Sequence, residues 1–387
     1  MANEHATQPP GAPRSLPVLR AHIDAVDRDV LALLARRSAL VSEVAQYKHL
    51  HQVRIRDASR ERDILTDRRD RATPLGLSPE IIESLFRLIL RGSRDRQAAL
   101  KAEVPMDIEP QSIAIIGGAG RMGRCLARLF GDLGHAVMLA DLDTDLKPEE
   151  AASVADVVVI SVPIDQTVET IRHLGPRVRP EGLLMDVTSV KEQPLAAMLE
   201  HARSSVTATH PLFDPSVHSL QGQRMVMCQG RGDAWYDWLT TMFQARGLVI
   251  KEATAAEHDQ AMAVVQVLVH FATEVMGRTL ARLGVGLEET LAFTSPIYLM
   301  ELIMTARHFG QSPELYGAIE MANPKAPQVM DAFNDAAAAL SRMVKSGDRQ
   351  AFREAFDEVR GFFGAFSEEA MVRSSDLIDR LVEVSWP

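Results

Sequence analysis

From Leu16 to about Leu50 the chain has helical spacing and nothing that stops a helix. Apolar side chains recur at Ile23, Val26, Val30, Leu33/Leu34, Leu40/Val41 and Val44, with no glycine inside and no proline after Pro17. Such a helix is about 50 Å long. A domain of about 90 residues cannot wrap it, so an intertwined partner chain is expected. A second helix is expected from near Asp57 to Thr73-Pro74. A third opens at Ser78-Pro79, a cap followed by a proline at the first helical position, and ends near Leu100. Residues 15–101 thus read as an all-α domain of three helices. Residues 102–110, with prolines at 105 and 110, read as a linker.

Beyond the linker the rhythm changes. Residues 112–116 are a short apolar strand, followed by a glycine-rich turn and a helix from 121 to about 131. Residues 136–140, 157–162 and 183–187 are further β-rich runs separated by helical stretches. That alternation predicts an α/β Rossmann-type domain with a parallel sheet over 111–252. Residues 253–387 show only helical pattern, rich in Ala, Met and Leu, and read as an all-α domain. A chain of 387 residues suits two or three domains, and 46% apolar with 24% charged side chains excludes wholesale disorder. No uninterrupted apolar run is long enough for a membrane span: the best, residues 261–277, carries Gln266, His270 and Glu274. Two cysteines make neither a disulfide framework nor a thiolate metal site. Residues 1–14 read as a floppy tail without a signal peptide, so the cytoplasm is the expected compartment.

Two cations interrupt the apolar stripe of the first helix. Arg37 and Lys48 stand where the pattern demands apolar side chains, 11 residues apart, close to three whole turns, and so share a face. A buried charge stripped of its partner costs about 3–5 kcal/mol. Either an internal carboxylate, Asp57 or Glu61, or a bound anion answers them, and the pattern leaves both open. Arg20, about 100° off that face, could serve only a partner's pocket. Asp57, Arg60 and Glu61 follow at i, i+3, i+4. The stripe of the third helix, Ile81, Leu85 and Ile89, turns polar at Ser93 and Gln97, which reads as a site or as fraying. Residues 15–102 carry 17 basic against 12 acidic side chains on a chain of net charge −10. A nucleic-acid partner is not expected: this stretch has only Tyr47 and Phe86 for base stacking, and its arginines alternate with acids.

The segments LxxLRxxIDxxDxxxLxLLxxR (16–37), VRIRDxxRERDIL (53–65) and SRDRQAAL (93–100) resemble the all-helical chorismate mutases. The resemblance implies that Arg20, across a dimer, and Arg37 and Arg60 hold substrate carboxylates. Lys48 and Gln97 would address the ether oxygen, and Asp57, Glu61 and Ser93 would order the hydroxyl and its neighbours. All eight residue types are intact. A pericyclic rearrangement needs a held conformer and stabilised charge, without acid, base or nucleophile.

SIAIIGGAGRMGR contains G-x-G-x-x-G as Gly118, Gly120 and Gly123, with Arg121 and Met122 between the last two, after a strand and opening a helix. Gly118 is assigned the tight turn, Gly120 the approach to a pyrophosphate and Gly123 the helix–sheet packing. Asp141 ends the second strand 23 residues after Gly118. A carboxylate there accepts from ribose hydroxyls and repels a 2′-phosphate, so NAD is favoured over NADP. Ser189 and Lys191 follow the fourth strand, where open α/β sheets place ligands. His210 ends a short β run, a position open to a structural or a catalytic role. His258 and His270, 12 residues apart, lie about 120° apart on a helix, and no HxxxH or CxxC occurs, so no metal is expected.

GGAGRMGR, SVPI, DVTSVK, HPLFDP, AEHDQAMAVVQVLVHF and SPIYLMELIMTAR resemble prephenate dehydrogenases, and the order mutase-then-dehydrogenase resembles the bifunctional enzymes of tyrosine biosynthesis. The resemblance implies conversion of chorismate to prephenate, then NAD-linked oxidative decarboxylation to 4-hydroxyphenylpyruvate. It gives His210 the proton of the substrate hydroxyl, places Ser189 beside that hydroxyl, gives Arg307 a carboxylate and lets His270 line the pocket. It also implies feedback by tyrosine, and with it residues 253–387 are expected to form a helical substrate and dimerisation domain, making the protein a homodimer. Activity is expected to rise with pH through the histidine titration. Two departures stand out, Asp214 in place of glycine and Leu299 in place of arginine. Arogenate, with an amine for the keto group, is the alternative substrate. A hydroxyacid dehydrogenase of another kind would need a lysine base where AEHDQ stands.

Overall fold

The computed structural model describes residues 14–51, 53, 55, 57–100, 109–217 and 219–385. Most of the expected tail and linker lies outside them. The helical domain consists of α1 (Leu16–Leu50), α2 (Ala58–Ala72) and α3 (Pro79–Ala99). Asp57 caps α2 by accepting from the Arg60 amide at 2.9 Å, and Ser78 caps α3 from the Ile81 amide at 3.3 Å. Within one chain α1 has a single buried residue, Ala45. Ile23 and Val26 are 59% and 60% exposed and Leu33 63%.

Strands β1 (Ser112–Ile116), β2 (Ala136–Ala140), β3 (Val157–Ile160), β4 (Leu183–Asp186), β5 (Ser205–Pro211), β6 (Arg224–Arg231) and β7 (Val249–Glu252) form one sheet ordered β2-β1-β3-β4-β5-β6-β7. β1 to β5 are parallel. β6 runs antiparallel to β5, and β7 is parallel to β6. The parallel reading therefore holds through β5 and is corrected at β6, because no helix follows β5 to carry a crossover. Both faces are covered, which is why β3 is an unbroken apolar run and every residue of β3 and β4, Asp186 included, is buried. One face packs Ile113 and Ile115 against Leu126, Phe130 and Phe243, and the other packs Ala114 and Ile116 against Ala151 and Ile171.

Thr254 and Glu257 form a capping box that starts the helical C-terminal region. Its first helical run, Ala255–Leu283, holds an 18-residue stretch of mean hydropathy 1.2 and is by length and composition apolar enough to cross a membrane, although Gln266, His270 and Glu274 interrupt its apolar residues. It is not a plain α-helix: Ala263–Leu268 is a π-helical turn. That run packs against helices Pro296–Phe309, Pro313–Ala322 and Ala326–Ser346.

Candidate active sites

In the helical domain, Arg37 and Lys48 do not share one carboxylate. Arg37 donates to the Ser93 hydroxyl, which itself donates to the Ile89 carbonyl at 2.7 Å. Among the described residues Arg37 has no salt bridge, and burial, with Arg68 nearby, lowers its pKa. Lys48 Nζ donates to the Ile55 carbonyl at 2.6 Å. Glu61 pairs with Arg94 at 2.6 Å, and Asp57 is occupied as a cap. Ser93 and Gln97 are buried rather than frayed. Gln97 donates to the Ser93 carbonyl, and its Oε1 is buried without a partner. Arg20 and Arg60 are exposed. By helical rise Arg20 is about 25 Å from Arg37 along α1, too far to reach the same pocket. The structure therefore gathers Arg37, Ser93 and Gln97 and does not bring Arg20 to them. Arg94, the partner of Glu61, escaped the reading of the sequence.

In the α/β domain two clefts of about 570 Å³ each open at the carboxyl ends of the strands. The first is lined by Gly117, Gly120 and Asp141, the second by Arg121, Met122, Ser189, His210, His270 and Arg307, and both touch Ser161, Val162 and Pro163. The turn after β1 fits a dinucleotide. Gly120 caps helix α4 (Arg121–Asp132), whose first amides are free for an anion. The left-handed turn falls on Gly117 (φ +80°), not on Gly118 as assigned from the motif, and a Cβ there would lie 2.3 Å from the Ser161 carbonyl oxygen. At Gly123 a Cβ would lie 2.6 Å from the Gly117 oxygen, so close packing does require glycine there. Asp141 accepts from the Ala119 and Leu142 amides at 3.0 and 2.9 Å, which holds its carboxylate at the mouth of the first cleft.

His210 ends β5, only 3% exposed yet on the wall of the second cleft. Its Nδ1 meets His258 Nε2 at 2.8 Å, and its Nε2 lies 3.5 Å from Gln266 Nε2 in the π-helical turn. Burial, then His258 and Lys191, push its pKa well below 6.5. His270 is pushed to about 4, by burial first and His308 second. Lys191 does not face a ligand: it is fully buried, bonded to Asp186 and the Thr209 carbonyl, and ties the end of β4 to β5. Asp214 accepts from the Ser216 amide at 2.8 Å and bridges to Arg121 at 3.0 Å, so the departure from glycine links the nucleotide turn to the substrate loop. Leu299 does not line the cleft. The sequence reading gave His258 no role and missed Asp259 and Gln266. The AEHDQ…Q spacing carries them, but only the π turn shows which way they face.

Residues 19–98 match the type II chorismate mutase family, 133–252 the nucleotide-binding domain of prephenate dehydrogenase and 254–358 its dimerisation domain. The chain is 36% identical to the T-protein of Haemophilus influenzae over 94% of its length and 96% of that protein. It is 37% identical to the T-protein of Enterobacter agglomerans, over 94% of this chain and 97% of that one. The chain belongs to the T-protein family. It has chorismate mutase and prephenate dehydrogenase activities in tyrosine biosynthesis and uses NAD. The matched dimerisation domain makes it a homodimer. The fold of residues beyond the mutase is that of prephenate dehydrogenase from A. aeolicus, solved with hydroxyphenyl propionate and NAD⁺, at TM-score 0.53 and 16% identity over 66% of this chain and 97% of that one.

Proposed function

We propose that the two activities reside in the two sets of residues described above, divided as a mutase domain over 15–101, a nucleotide domain over 111–252 and a helical domain over 253–387. The observation that carries the dehydrogenase reading is a buried neutral imidazole, His210, on the wall of a cleft that adjoins the dinucleotide turn and holds Arg307. Bound NAD supplies the two-electron acceptor. Gly118, Gly120, Arg121, Met122, Gly123 and Asp141 hold it, the helix amides taking its phosphates and Asp141 a ribose hydroxyl. Arg307 binds a prephenate carboxylate and His270 lines the pocket, its neutral ring adding no charge beside the substrate. Ser189 hydrogen-bonds the substrate hydroxyl. His210 accepts that hydroxyl's proton at Nε2 as the ring carbon is oxidised. Aromatisation then drives loss of the ring carboxylate as CO₂.

In the mutase pocket Arg37 and Arg60, with Arg20 from a second chain, hold the two carboxylates of chorismate. Lys48 and Gln97 stabilise charge at the breaking C–O bond, and Asp57, Glu61 and Ser93 order the hydroxyl side. The exposed apolar row on α1 supports intertwining with a second copy. A cleft that takes a carboxylate and a para-hydroxylated ring also suits tyrosine, the proposed feedback inhibitor. The cytoplasm is the proposed compartment, supported by two free, buried cysteines.

One observation favours arogenate as a further substrate. The Asp214 carboxylate lies in the field of Arg307, where an amine beside the bound carboxylate would meet it. Kinetics of His210→Asn and Arg307→Ala test the assignment. The first should lose the NAD-linked rate at least 10²-fold. The second should chiefly raise KM for prephenate. A near wild-type rate in His210→Asn would remove the base from the scheme.

A further inference from the structure

We infer that His258 and Asp259 are positioning residues for the dehydrogenase base: a buried His210–His258–Asp259 chain locks His210 in the tautomer whose unprotonated Nε2 faces the cleft. The inference deepens the reading of His210 above and rests on it.

Asp259 is 1% exposed and its carboxylate accepts the backbone N–H groups of Lys191 and Glu192 at 2.8 and 3.0 Å. These bonds, with that of His258, hold it ionised, with its pKa below the ordinary carboxylate value despite burial. An ionised carboxylate only accepts. His258 Nδ1, 2.7 Å from Asp259 Oδ1, therefore carries the proton. With that proton on Nδ1, His258 turns its other ring nitrogen, Nε2, toward His210 as the acceptor, 2.8 Å from His210 Nδ1. Two bare nitrogens at that distance would repel, so His210 Nδ1 donates. A neutral His210 with Nδ1–H has its lone pair on Nε2, the nitrogen beside Gln266 in the cleft. Each link uses one donor and one acceptor, and none is left over.

The surroundings keep the chain from reversing. Lys191 is the nearby cation, and Asp186 answers it within the same buried pocket. Asn323, at the end of helix Pro313–Ala322, donates to the Asp259 carbonyl at 2.9 Å and fixes the backbone that presents the carboxylate. A tautomer with Nε2–H toward the cleft could not accept the hydroxyl proton. Correct orientation of the base is thus set two residues away from the substrate.

Nitrogen-15 NMR of the full-length dimer, labelled at histidine, reads this tautomer directly, with His210→Asn used to assign the resonance. Wild type should show His210 Nε2 as the unprotonated nitrogen. Asp259→Asn, whose amide can donate to His258 Nδ1, should reverse or mix the tautomers. It should lower kcat for prephenate about 10²–10⁴-fold, the contribution of a general base, the upper end being the loss for a catalytic histidine held in its wrong tautomer, with KM within about twofold. His258→Gln, whose amide oxygen can accept from His210 Nδ1, should fall less. A wild-type His210 protonated at Nε2 would overturn the proposal, as would Asp259→Asn with unchanged tautomer and kcat. Should Asp259→Asn lose mutase activity as well, its fold has failed and the wild-type spectrum alone decides. An active His210→Asn would refute the base assignment while leaving the tautomer result standing, so the two failures are distinguishable.

Discussion

His210 was legible in the sequence as a residue type at a strand end, but not as a base, because its chemistry depends on burial that no pattern displays. That burial also corrects the expected pH dependence. With its pKa well below 6.5, the imidazole is neutral throughout the neutral range, the form the proposed base needs. The NAD-linked rate should therefore be flat near neutrality and fall only in acid, on a limb lying below the ordinary histidine value. A pH profile of kcat/KM checks this, and a midpoint at or above 6.5 would contradict it. Glu320 was invisible to the same reading. It is buried beside Glu274, and burial first, with the neighbouring carboxylate second, raises its pKa to about 7. A carboxyl raised on folding contributes stability that is full below about 4.5 and lost as pH rises through about 7. Glu320→Gln should therefore melt like wild type at low pH. Above pH 7 it should gain on the order of 1–2 kcal/mol, read as a rise of a few degrees in Tm.

Helices α1 to α3 and strands β1 to β4 were readable because periodicity, caps and prolines all agree there. Ser78 and Thr254 sit at helix starts as their types require. The antiparallel β6 was not readable, since strand direction depends on the connection and not on the strand's own residues. Nor was the π turn at Ala263–Leu268, whose composition is that of any apolar helix, although it aims Gln266 at His210. The glycine motif was recognised with its left-handed residue one place off, because the motif specifies types and not φ. Gly117→Ala combines a disfavoured φ of +80° with a Cβ against Ser161. Strain of about 1–3 kcal/mol should appear as weaker NAD binding by calorimetry, with mutase activity unchanged.

The assembly was legible only through what one chain leaves uncovered. A 35-residue helix with one buried residue leaves its apolar row uncovered within one chain, and the proposed second copy would cover it and take Arg20 into its pocket. Leu33→Arg should break that pairing. It should cost the mutase at least tenfold, while the dehydrogenase, held together by residues 254–358, keeps its rate. The converse separation belongs to Arg37→Ala, which removes the proposed carboxylate anchor from the mutase pocket alone. Supplying chorismate with NAD, and following NADH in wild type and Arg37→Ala, examines both sites at once. Wild type should form NADH from chorismate after a lag, and Arg37→Ala should form it from prephenate but not from chorismate. Chorismate left untouched by wild type, or NADH formed equally from chorismate in both proteins, would contradict the assignment of two reactions to two separate sites on this chain.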